Sequence, residues 1–101
     1  MSLHPHFVIM RELEDKLRTV KEETFVVYQM LTDAQQVTHM ASLAYFALTP
    51  YSDNKVATLA SDAYTTAIKN EEPLRLSFTA KMAELQTIKD VIQDEEENWT
   101  E

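Results

Sequence analysis

Histidine is the only side chain here that ordinarily titrates near neutral pH, and the chain has three. His4 and His6 flank Pro5 and could offer two nitrogens to a divalent cation. A structural zinc site takes four defined ligands, and no cysteine is present to complete one. The pair therefore reads as a solvated terminal feature. His39 lies in an apolar stretch, where a phosphotransfer histidine on a helical bundle is conceivable. The Lys-Gly that should follow such a histidine is missing, and Met40-Ala41-Ser42-Leu43 stands in its place. A core or interface histidine is the expectation.

The other chemical patterns fail on spacing. Di-iron bundles need Glu-x-x-His on two helices, but Gln36 stands three before His39 and neither His4 nor His6 supplies the motif. No Ser–His–Asp set or paired-carboxylate arrangement can be argued. Glu22-Glu23 and Glu71-Glu72 read as helix-end or solvated charges. Asn98-Trp99-Thr100 matches a glycosylation sequon, which carries no meaning without a secretory signal. Trp99 is a candidate tail anchor, because tryptophan is enriched at binding hot spots. No residue is assigned a catalytic, cofactor-binding or metal-binding role, and the expectation is a non-enzyme that needs no cofactor.

Composition narrows the class. One hundred and one residues fit a single domain with a modest core. Glycine is absent, which disfavours β-hairpins and phosphate-cradling loops together. Seventeen acids against nine bases give a formal charge of −8. Six of the acids are Asp90, Asp94, Glu95, Glu96, Glu97 and Glu101, so the acidity is mostly a property of the C-terminal tail. A nucleic-acid binder needs clustered Lys and Arg to displace counterions, and none is seen. No run of about eighteen apolar residues suggests a membrane span. Met1 to Met10 lacks a basic, then apolar, secretory pattern. These features point to a cytoplasmic protein that binds neither nucleic acid nor membrane.

The elements that must position any site are helical. After Pro5, apolar residues recur at helical spacing: Phe7, Met10, Leu13, Leu17, Val20, then Val27 and Leu31. Glu12–Lys16 and Glu14–Arg18 add i,i+4 pairs on the wet face. The beat continues through Ala34, Val37 or Thr38, Ala41, Tyr45 and Leu48. One long helix is favoured, with a kink near Thr32; a second helix capped at Thr32 or Asp33 is the alternative. Pro50 stops it, and Ser52 or Asp53 caps the next helix. That helix carries Val56, Leu59, Ala60, Ala63, Tyr64, Ala67 and Ile68. Asn70-Glu71-Glu72 reads as a loop, and Pro73 opens a last helix with Leu74, Phe78, Met82, Leu85, Ile88 and Ile92. The fold expected is all-α, a three- or four-helix bundle with a long N-terminal helix. It forms a single domain over 1–101 whose acidic tail frays from about 94 to 101.

From Thr24 to Asn54 only Asp33 and Asp53 carry a formal charge. A helix that is apolar most of the way round is covered on most sides. A small bundle has few helices with which to cover it. The segment is therefore expected to bring copies together as a dimer or larger homo-oligomer, or to meet another protein. The candidate interface is Val37, Met40, Tyr45, Phe46 and Leu48.

The pattern from Asn54 onward resembles the YlbF/YmcA-type family of small bacterial helical regulatory proteins. The matching residues are Lys55-Val56, Leu59-Ala60, Glu71-Glu72-Pro73-Leu74, Phe78, Met82-Ala83-Glu84-Leu85-Gln86, Ile88 and Ile92. A fainter match runs through Leu13-Glu14, Leu17-Arg18, Glu22-Glu23, Tyr28 and Asp33-Ala34. The resemblance implies an all-α fold, self- or hetero-association and a cytoplasmic accessory role linked to RNA processing and developmental control. Some members of that family are associated with iron–sulfur clusters through cysteines. This chain has none, so that property does not carry over. The function expected is a regulatory or scaffold protein acting through helix-mediated contacts and self-association. The alternative is a small acidic inhibitor or immunity protein that holds a basic partner through its tail.

Overall fold

The computed structural model describes residues 4–48 and 53–98. They form two α-helices, α1 (Pro5–Leu48) and α2 (Asn54–Asn98), with no strand among the described residues. The all-α class and the long N-terminal helix are as expected. The three- or four-helix count is corrected to two helices.

Both starts are capped by side chains. Phe7 N–H donates to the His4 carbonyl at 2.9 Å, and His6 N–H donates to His4 Nδ1 at 3.0 Å. Pro5 takes the first helical position, where a missing N–H costs nothing. Asp53 caps α2: its Oδ1 accepts from Val56 N–H at 2.9 Å and its carbonyl from Ala57 N–H at 3.0 Å. Ser52, the other candidate cap, lies outside the described residues.

The expected break at Asn70-Glu71-Glu72 does not occur, because α2 runs straight through Pro73. A proline in a helix interior removes one ladder hydrogen bond and crowds the preceding turn, at a cost of about 3 kcal/mol. The inward positions Ala67, Glu71, Leu74 and Phe78 keep their spacing across it, so packing on both sides outweighs the local cost. Among the described residues α2 extends to Asn98.

The chain divides into two compact units. The first joins Met1–Val26 to Thr79–Glu101. Its inward residues are His6, Met10, Leu13, Leu17, Val20 and Thr24 on α1, and Lys81, Leu85, Ile88, Ile92 and Glu95 on α2. Steps alternate between three and four, the seam of a two-stranded coiled coil. Val20, Leu85 and Ile88 form the buried centre, with Leu17 and Ile92 packed against it. Burying each such side chain contributes roughly 1.5–3 kcal/mol. The helices run antiparallel here: His6 meets Glu95, and Glu23, later in α1, meets Lys81, earlier in α2. On the wet face Arg18 pairs with Asp15 at 2.8 Å, not with the Glu14 that the spacing favoured.

The second unit is Val27–Phe78. Its α1 seam is Val27, Leu31, Ala34, Thr38, Ala41 and Tyr45, and its α2 seam is Ala57, Ala60, Tyr64, Ala67, Glu71, Leu74 and Phe78. Small residues dominate, which lets the two backbones approach closely. Ring contacts close both ends of the register, Tyr28 on Phe78 at 5.8 Å between centroids and Tyr45 on Tyr64 at 5.9 Å.

Candidate functional site

The candidate interface lies wholly in the second unit, on the C-terminal half of α1. Helical spacing around a narrow, small-residue seam leaves most of this half facing outward. Val37 is 62% exposed, Met40 60%, Phe46 66% and Leu48 42%. Tyr45 is the exception among the five: it is half-buried, its ring tilted against Tyr64. Phe46 leans edge-on to Tyr45 at 5.2 Å and lies 6.4 Å from Tyr64, so the three rings form one cluster with an exposed side. Met30 and Leu43, outside the predicted set, are also exposed, as are Leu59 and Leu76 on α2. The signal that would have found Met30 and Leu43 is their place in the uncharged segment itself.

A shallow depression of about 440 Å³ is lined by Asp33, Gln36, Val37 and Met40. A second, of about 280 Å³, is lined by Tyr45, Asn54, Ala57, Thr58, Ser61 and Asp62. Neither gathers a nucleophile, a base and an oxyanion donor, the set that acyl or phosphoryl chemistry requires. His39 is exposed on α1, which corrects the core half of the core-or-interface expectation. His4 and His6 do not converge as a ligand pair. His4 Nδ1 accepts from the backbone, and His6, buried, places Nδ1 2.9 Å from Glu95 Oε1. No group of three or more His, Cys, Asp or Glu suited to a metal ion occurs among the described residues. Trp99, the candidate tail anchor, lies outside them.

Most inward polar groups are satisfied within their own helix, and Lys81 reaches across to the other. Glu71 is 3% exposed in the second unit's seam and accepts from Arg75 Nη2, one turn on, at 2.8 Å. Thr24 and Thr38 turn their hydroxyls back onto the carbonyls of Val20 and Ala34, at 2.6 and 3.0 Å, so neither presents an unpaired oxygen to the seam. Lys81 Nζ donates to Glu23 at 3.2 Å and lies 3.6 Å from Glu84. The hydrogen bond to Glu23 is the main cause that raises the Lys81 pKa above the usual 10.5; partial desolvation opposes it and the charges of Glu23 and Glu84 add to it.

No described helix is long and apolar enough to cross a membrane. Comparison with protein-family models, curated proteins and solved structures returns no match.

Proposed function

We propose that this chain is a non-enzymatic accessory protein, a regulator or scaffold that works by offering an apolar helical face to other protein, further copies of itself included. One observation carries the reading: Met30, Val37 and Met40, which share one face of α1, are 50%, 62% and 60% exposed on a stretch whose sole formal charge is Asp33. Monomeric soluble proteins seldom present contiguous apolar patches beyond a few hundred Å². Association about a two-fold axis is the commonest way to cover one. A cytoplasmic accessory role is the setting that the likeness to YlbF/YmcA-type proteins supports.

Sedimentation equilibrium tests it. The wild type should associate at micromolar concentration. Met40→Glu should keep its helicity, because Met40 is 60% exposed. It should weaken association on the order of a hundredfold, since a charge enters the apolar contact on both copies. A wild type that stays monomeric at high concentration would overturn the proposal.

A further inference from the structure

Five exposed residues of α1 each immediately precede an inward one: Met30 before Leu31, Asp33 before Ala34, Val37 before Thr38, Met40 before Ala41 and Ala44 before Tyr45. One residue is about 100° of helical rotation. The exposed set therefore forms a second stripe, with the same alternation of three and four as the seam and about a quarter-turn from it. A helix that pairs with one neighbour needs one such seam, whereas a helix at the corner of a bundle carries two. In the first unit the same offset gives Pro5, Ile9, Glu12, Lys16, Thr19 and Glu23, polar from Glu12 onward as expected of a helix with a single neighbour. Four of the five stripe residues in the second unit are Met, Val or Ala.

We propose that this stripe packs antiparallel against the same stripe of a second copy of the chain, about an axis near Val37. The proposal rests on the self-association put forward above and adds the face, the occupant and the direction.

Area favours a full-sized occupant. The chain exposes 7721 Å². A monomer of 11.7 kDa with one closed core exposes about 5,900 Å². The excess, about 1,800 Å², is more than twice what one partner gives to a standard interface, roughly 800 Å². Charge favours a second copy. A charge-rich partner would find only Asp33 to pair with, while the same stripe brings apolar side chains at matching spacing. Asp33 also sets the direction. Parallel pairing would place the two Asp33 carboxylates opposite each other. Antiparallel pairing about Val37 separates them by eight residues, about 12 Å at 1.5 Å per residue, beyond a screening length of about 8 Å at physiological salt.

The chain has no cysteine, so single introduced thiols report contacts without background. Val37→Cys, full length and mildly oxidised, should give a disulfide-linked dimer as its main species. Met30→Cys mixed with Ala44→Cys should give the mixed dimer, and Met30→Cys alone should stay unlinked. Circular dichroism checks that each variant is folded. Homodimer linkage of Met30→Cys would overturn the proposal in favour of parallel pairing. A wild type that associates while Val37→Cys stays unlinked would place the contact elsewhere, overturning this proposal and leaving self-association intact. A monomeric wild type would remove both.

Discussion

The two units use the same repeat to different ends. In the first, the seam is filled by Val20, Leu85, Ile88, Leu17 and Ile92, and the flanks are charged. Polar contacts cross between its helices, His6 to Glu95 and Lys81 to Glu23 among them. Large apolar groups fill the seam of this pair, although Phe7, Phe25, Val26 and Met82 also lie exposed on its outside. In the second, Ala or Thr fills six of the thirteen seam positions named above, and many of the large apolar side chains are outside. Buried apolar surface stabilises where it is covered. The first unit thus gains most from its own two helices, while the second leaves more of its large apolar side chains exposed, eleven against seven among the described residues. Identical periodicity therefore does not mean identical role. What distinguishes a self-sufficient seam from an unfinished one is the position just outside it.

The sharpest way to break this comparison is to empty one position in each unit. Ile88→Ala should destabilise the protein by about 2–4 kcal/mol, the cost of a truncated core side chain. Val37→Ser, at low protein concentration, should change stability by no more than about 0.5 kcal/mol, as expected of an exposed helix position. Urea denaturation of dilute samples measures both. Equal losses would mean that Val37 is core and that the contrast between units is wrong.

Pro73 gives an effect somewhat smaller and of opposite sign. Proline costs about 3 kcal/mol more than alanine in a helix interior, although surrounding structure relaxes around it. Pro73→Ala should stabilise the second unit by about 1–3 kcal/mol, read as a higher thermal midpoint. A lower midpoint would mean that the proline's geometry is what brings Glu71 and Leu74 inward.

The smallest effect concerns Lys81. Its pKa in the folded protein is raised, chiefly by the bond to Glu23. The charged form is therefore favoured by folding. Its contribution is complete below the ordinary value of 10.5 and is lost as pH rises through the higher folded value. Lys81→Met should melt slightly below wild type at about pH 8, and the gap should narrow in strong alkali. A gap that widened there would show that another group carries the pH dependence.

Much of this architecture was legible in the spacing of single residues. The run from Phe7 to Leu48 kept a helical beat without a proline or glycine, and α1 is one helix. Reading Asn70-Glu71-Glu72 as a loop gave local propensity too much weight: a residue before proline is driven away from the α region. The beat Ala67, Glu71, Leu74, Phe78 crosses that point unbroken and was the signal to follow. It was hidden because Glu71, a carboxylate, stands where an apolar residue was expected. The missing charges marked the segment in which Val37, Met40, Phe46 and Leu48 are exposed. Tyr45 differed because periodicity places a residue on a face but does not say which neighbour's ring waits there. The interior placement of Lys81 and Glu95 had no apolar signature and could be seen only once the helices were paired.

Pro73 has a further consequence, for motion. Without its N–H, the carbonyl of Lys69 loses its partner one turn on, so the ladder of α2 lacks one rung. Helical order spreads through successive rungs. A missing rung gives residues 54–72 and 74–98 separate thresholds for opening, each set by its own packing. Amide protons around Leu85 and Ile88 can then stay protected from solvent exchange while those around Ala60 and Tyr64 open and close on their own. That independence leaves the part of α2 facing the small-residue seam able to adjust without unravelling the rest.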